Sequence, residues 1–499
     1  MKNRYTLLLG LLVMVQPSQV LSQTVRGAFP DARDIGDPAL KGSFRYEAAD
    51  GAWILRGSGT NMWGSRDEFF FLSEQVNDDC ILSANLHFTG EGVDPHRKAG
   101  VMFRATPEDD SPYVDVAVHG DGLTSLQYRM EKGGETREVT TQVKSPGFIQ
   151  LEKSGNTFIM RVSKDQTPLD EVASVTVDLG GKVHAGIFVC SHHPEVMEEA
   201  IFYNVRLDVP AEARGGLQAP PSPSRLETFD LETGLRRVVY TTSDHIEAPN
   251  WSRNGKFLIF NKEGKLYRFI LRNGKVKVID TGEADANNND HGISFDGKKL
   301  AISHHLEENG ARHSIIYTVP LKGGTPSRVT PLGPSYWHGW SPDDQWLTYC
   351  AERNGNYDVY KIPATGGEEI RLTTAAGLDD GPEYSPDGKY IYFNSVRSGS
   401  MQIWRMKPDG SGQEQVTDDQ FNNWFAHPSP DGRWLLFISY RPDVAPGDHP
   451  RNQRVMLRLM PAAGGPVKTV AFLYGGQGTL NVPSWSPDSK KFAFVSYTY

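Results

Sequence analysis

The sequence predicts an all-β protein: an N-terminal β-sandwich over residues 30–209, then a six-bladed β-propeller over residues 225–499. Three observations carry this. A short phrase recurs six times: an aromatic or other apolar residue, then Ser, then a turn ending in Asp-Gly or a variant. Its serines (Ser252, Ser294, Ser341, Ser385, Ser429, Ser486) are spaced 42, 47, 44, 44 and 57 residues apart. The 499 residues also include 50 Gly and 32 Pro, and no long amphipathic helical pattern interrupts the short apolar runs.

Each phrase reads as a hairpin. In Tyr384-Ser385-Pro386-Asp387-Gly388 the proline presets φ, Asp-Gly accepts the turn, and the alternating strand Lys389-Tyr390-Ile391-Tyr392-Phe393 follows. A period near 45 residues with about four strands per unit is the signature of propeller blades.

Taken in order, residues 1–22 read as a secretory signal. Lys2 and Arg4 form a basic start, Thr6 to Val15 an apolar stretch, and Val20-Leu21-Ser22 a small-residue exit. After cleavage no transmembrane segment is expected, and the mature protein should be periplasmic or extracellular. The net charge of −9 argues against nucleic acid as the partner. Cys80, Cys190 and Cys350 are the only cysteines, and an oxidising compartment would permit a Cys80–Cys190 bridge or buried thiols equally.

Residues 30–209 hold roughly a dozen short strand-like runs without a repeat, as a two-sheet sandwich requires. Arg97-Lys98-Ala99-Gly100-Val101-Met102-Phe103-Arg104 and the closing Ala200-Ile201-Phe202-Tyr203-Asn204-Val205 resemble concanavalin-like jelly-roll domains found beside sugar-processing modules. In this segment Trp63, Tyr113, His119 and Asp121 form a minor candidate sugar site. The Pro/Gly-rich stretch 210–224 reads as a linker.

The propeller's two ends each supply a strand pair. Leu226–Asp230 and Arg236–Tyr240 precede any phrase, and the last phrase supplies only two strands, so the ends should pair and close the ring. Gly381-Pro382-Glu383-Tyr384-Ser385-Pro386-Asp387-Gly388, Asn394-Ser395-Val396-Arg397-Ser398-Gly399 and Gln402-Ile403-Trp404 resemble the propeller of TolB and its periplasmic relatives. The resemblance implies a six-bladed ring and, as one role, an interaction scaffold for another envelope protein. Joined to a concanavalin-like domain, it also resembles secreted proteins of glycan-using bacteria.

If the Ser turns lie on one face of the ring, the segments entering each first strand lie on the other, at the channel mouth. Five places before each Ser stand Glu247, Asn289, Tyr336, Asp380, Trp424 and Asn481, and three places before stand His291 and His338. A shared offset predicts a shared radius. Three chemistries fit. Asp379, Asp380 and Glu383 supply carboxylates for glycoside hydrolysis. His291, His338, His427 and Gln477, with Asp290, would hold a divalent metal, and propeller-shaped oligogalacturonide lyases, which the resemblance brings in, use such a channel metal. Or the face only binds a glycan or oligosaccharide through Glu247, Asn289, Tyr336, Trp337, His338, Asn422, Asn423, Trp424, Arg397 and Arg441. An insertion in the fifth blade, about 442–454 with Asp448, His449 and Arg451, is expected to form a rim on this face.

Overall fold

The computed structural model describes residues 29–498 except Asp78, 165–168, 212–222 and Asn309. The predicted signal at 1–22 and most of the predicted linker lie outside the described residues. No helix occurs among the described residues, and none is long and apolar enough to cross a membrane.

Strands from Asp31 to Asp208 build two seven-stranded antiparallel sheets. One runs from Asp31–Ile35 at one edge to Arg137–Thr140 at the other, with Val183–Cys190 and Lys98–Arg104 at its centre. The second has Cys80–Phe88 and His193–Asp208 at its centre. Leu72, Val101, Val116 and Ile187 of the first sheet and Leu55, Leu82, Leu151 and Phe202 of the second share one apolar core. The Cys80–Cys190 bridge does not form. Cys80 lies in that shared core, whereas Cys190 packs on the opposite face of its sheet with Met102 and Tyr113.

From Ser224 onward the chain forms six antiparallel sheets. Five are four-stranded blades whose first strands are Glu247–Trp251, Asn287–Ile293, Ser335–Trp340, Asp379–Tyr384 and Asn422–Pro428. The sixth joins both ends: Ser224–Asp230 pairs with Lys491–Ser496 on one side and Arg236–Thr242 on the other, with a bridge from Trp485 to Phe492 inside. The predicted closure therefore forms, and it removes the two open sheet edges.

The repeated Ser explains the repeated phrase. In blade four Ser385 Oγ donates to Asp387 Oδ1 at 2.7 Å and accepts from the Tyr390 N–H at 3.0 Å. Ser429 does the same with Asp431 (2.6 Å) and Trp434 (3.0 Å), and Ser486 with Asp488 (2.6 Å) and Lys491 (2.9 Å). One hydroxyl thus ties the turn to the start of the second strand, satisfying a backbone donor the hairpin would otherwise leave unpaired.

The first strands share a second device. Register slips between Glu247 and Asn250, Asn287 and His291, Trp337 and Gly339, Asp380 and Glu383, and Trp424 and His427. Four places before the Ser, φ is +57° at Ala248, +63° at Gly381 and +53° at Phe425. Such a bulge re-aims the flanking side chains. At Gly381 a Cβ would also collide with Asn394 and come within 2.9 Å of Phe425.

The two parts meet through buried charge. Glu152 of the second sheet pairs with its neighbour Arg161 at 2.7 Å and, across the junction, accepts from Arg454 at 2.9 Å and Arg441 at 3.3 Å. Asp208 and Glu227 lie among Arg206, Arg225 and Arg236. Burial opposes charge on Asp208, but Arg206, Arg236 and Arg225 hold its carboxyl well below the usual carboxylate range.

Candidate functional site

The central channel has two unlike ends. At the end where the first strands begin, Glu247, Tyr336 and Asp380 lie near one another with Asp290 and His338, inside the ring rather than on an open surface. His338 Nε2 lies 3.0 Å from Asp380 Oδ1, and its ring stacks on Phe425 at 5.6 Å between centroids. Burial disfavours charge on His338, but Asp380, Asp290 and Glu383 around it raise its pKa. Burial also resists ionisation of Asp380, yet His338, His449 and the Gly381 N–H hold it at about 2. Asp290 shows the opposite outcome: burial pushes it up to about 7, His338 opposing and Asp380 and Glu247 adding. Its Oδ2 accepts from Asn288 Nδ2 at 2.8 Å. Tyr336 is half-buried beside the same carboxyls, and burial first, then Asp290 and Asp380, raise its phenol. Glu247 accepts from His245 Nε2 at 3.0 Å.

The fifth-blade insertion closes this end. His449 packs on Trp424 at 4.3 Å and on Phe425 at 5.5 Å, and burial lowers its pKa despite Asp380 and Asp448 nearby. Gln477 contributes backbone here, its N–H reaching Pro450 O and its O accepting from Tyr497. The predicted rim is thus a cap seated on the two aromatics.

Several predicted residues lie elsewhere. Asp379 turns into the blade, where Arg397 reaches it at 2.7 Å, so Asp379 and Asp380 do not form a carboxylate pair. Asn423 bonds Gln402 and Ser439, and Asn422 bonds Met401 and Val444, all within or between blades. Arg397 is held by Ser395, Gln413 and Asp379, and Arg441 reaches Glu152 at the junction. Asp379 and Asn423 stand six places before their serines, and a step of one residue from the five-place position turns a side chain to the other side of a strand. Asn289 is buried in its strand, and Trp337 is buried with its ring over Gly292, where a Cβ would overlap it.

The metal set does not assemble. No group of three or more His, Cys, Asp or Glu with the spacing of a metal site occurs among the described residues. His427 is committed at both nitrogens, Nδ1 to Glu383 Oε2 at 2.6 Å and Nε2 to Leu480 O at 3.1 Å. His338 is taken by Asp380, and His291 is wholly buried, its pKa driven by burial down to about 4.

The other end, beside the Ser turns, is open. A cavity of about 360 Å³ is lined by Trp251, Trp340, Tyr384 and Trp485, by Pro386, Pro428, Pro430, Pro483 and Pro487, and by Arg253 and Glu383. Its aromatics stand one place before the repeated Ser and its prolines largely one place after. That wall was visible in the phrase itself, but each of its residues had a sufficient role in the hairpin. Trp340 Nε1 donates to Gly292 O at 3.0 Å and Trp485 Nε1 to His427 O at 2.9 Å, which fixes both indoles. Arg253 donates through Nε to Ser294 O and Nη2 to Ile293 O, leaving Nη1 without a partner among the described residues.

Comparison with known proteins agrees with the propeller fold. A family model described as the TolB beta propeller domain matches residues 335–446. An uncharacterized protein of Agrobacterium fabrum is 50% identical over 275 residues, which is 55% of this chain and 92% of that protein. A solved structure from Agrobacterium tumefaciens, named provisionally as a TolB, is 49% identical with a TM-score of 0.54 and covers 56% of this chain and 99% of its own. An oligogalacturonate lyase of Vibrio parahaemolyticus, at 15% identity and a TM-score of 0.34 over 51% of this chain and 74% of its own, is too distant to carry an argument. Through its six-bladed C-terminal region, the chain belongs to the TolB-like β-propeller family.

Proposed function

We propose that this protein is a binding scaffold of the cell envelope, in which the open end of the propeller channel grips an extended segment of a partner protein. The cavity at the Ser-turn end carries this reading. Its wall is indole, phenol and proline, its indole N–H groups at Trp340 and Trp485 are already used, and its charged groups are Arg253 and Glu383. A saccharide needs several hydrogen-bonding groups around its hydroxyls, whereas an apolar wall with one free guanidinium nitrogen suits side chains and a carboxylate. We read the mature protein as periplasmic or extracellular, and residues 30–209 as a concanavalin-like sandwich joined through 210–224 to the propeller at 225–499.

A second reading places saccharide recognition or cleavage at the capped end. It is favoured by Asp290 and Asp380, which both lie near His338 and whose pKa values, about 7 and about 2, stand far apart. One carboxyl would keep a proton while the other stays ionised, as acid and base roles require. The cap must lift for substrate to enter. Displayed random peptides and a polysaccharide panel separate the readings. The scaffold reading expects selected peptides that lose roughly tenfold affinity or more on Arg253→Ala, and no polysaccharide turnover. Release of sugar products, abolished by Asp380→Asn, would establish the second reading instead.

A further inference from the structure

Blade five differs from blades one and three at one connection. Between their second and third strands those blades turn in two residues, Glu263-Gly264 and Asn354-Gly355, whereas blade five carries the twelve residues 441–452. This loop leaves at Arg441 and its returning strand begins Gln453-Arg454. Both arginines reach one atom of the N-terminal part, Glu152 Oε1, at 3.3 and 2.9 Å. The other oxygen, Oε2, accepts from Arg161 of its own sheet at 2.7 Å. One buried carboxylate is thus divided between the N-terminal part and the two stems of the loop. Burial opposes charge on Glu152, but Arg161, Arg454 and Arg441 hold its carboxyl below the ordinary range.

The body of the loop has weaker ties. Val444 O accepts from Asn422 Nδ2 at 2.9 Å and Pro450 O from the Gln477 N–H at 3.4 Å, while Pro442, Asp443, Ala445, Gly447 and Asp448 are exposed. With His449 seated on Trp424 and Phe425, His449 Nδ1 and Trp424 Nε1 are buried without a hydrogen bond among the described residues. Unpaired buried polar atoms count against the closed position. Charge-assisted bonds are the stronger ones, and here they sit at the stems.

We propose that Glu152 is a latch: the N-terminal part, docked on blade five, holds the 441–452 loop shut over the channel end that contains Asp380 and His338. Releasing Glu152 from Arg441 and Arg454 lets the loop lift. Three features meet in this device. The long loop stands on the blade that carries the junction, its stems make the bonds across that junction, and its tip covers the channel. A partner that draws residues 30–209 off blade five therefore opens that end of the channel. By linkage, a ligand that needs the open channel weakens the docking of residues 30–209 to the same degree.

Histidine modification by diethyl pyrocarbonate at neutral pH, read peptide by peptide on the full chain, tests the latch. His193 is exposed and calibrates the reagent, while His184 of the first sheet and His291 of blade two are buried and report general loosening. In the wild type His449 should react far more slowly than His193. Glu152→Gln should speed His449 by about tenfold or more, with His184 and His291 unchanged. Glu152→Gln also strands the buried Arg161, so a second variant, Arg441→Gln with Arg454→Gln, keeps the Glu152–Arg161 pair intact. It should speed His449 to a similar degree, and adding Glu152→Gln to it should change nothing further, as one shared contact requires. An unchanged His449 rate in the double variant overturns the latch. So does an additive triple variant, or a rise at His449 matched by His184 and His291.

Discussion

The two ends of the propeller channel use similar residues for different purposes. The end where the first strands begin is dense in carboxyls and imidazoles, several of them committed to one another, His338 to Asp380 and His245 to Glu247. It is then capped by His449 on Trp424 and Phe425. The turn end is mostly apolar, holds a cavity of about 360 Å³ and presents Arg253 with one nitrogen that no hydrogen bond uses among the described residues. Polar residues at a channel mouth therefore do not by themselves mark an accessible site. What matters is whether their hydrogen bonds are still on offer.

That contrast breaks most easily at the blade-four to blade-five tie. His427→Ala leaves the half-buried Glu383 without this partner and frees Leu480 O. Leaving a buried hydrogen-bonding group without its partner typically costs about 1–3 kcal/mol, so His427→Ala should melt below the wild type. A variant with an unchanged melting temperature would make His427 and Glu383 spare groups beside the cavity rather than struts between blades.

A smaller effect sharpens the same comparison through pH. Asp290 has a folded pKa of about 7, above its unfolded value near 4. The folded state therefore binds the extra proton, and this group adds stability as pH falls from about 7 towards 4. His291, lowered to about 4, works in the opposite sense, losing stability as pH falls through its unfolded value of about 6.5. Asp290→Asn isolates the first term. Its stability relative to wild type, from urea melts at several pH values, should decline as the solution is acidified from neutral. A pH-independent difference would remove Asp290 from the cluster.

Much of the fold was legible because its signals are local. The Ser–Asp turn is contained within six residues, so the period, the six blades and the pairing of the two ends followed from the text. The meeting of Glu247, Tyr336 and Asp380 around Asp290 also followed from a common offset. The bulge did not, because nothing in the residue types marks Ala248 or Phe425 for a positive φ, and Asp379 and Asn423 consequently point into the blades. Arg441 was misplaced for another reason. Its partner, Glu152, lies 289 residues away in the other part of the chain, where no local pattern points to it.

The most direct measurement compares one substitution at each end against the same ligand. Affinity of a peptide selected on the wild-type protein should fall by roughly tenfold or more in Arg253→Ala and stay near wild type in Asp380→Asn, read beside the melting temperature of each. Loss of binding in Asp380→Asn with Arg253→Ala unaffected would place the functional end beneath the His449 cap and contradict the account.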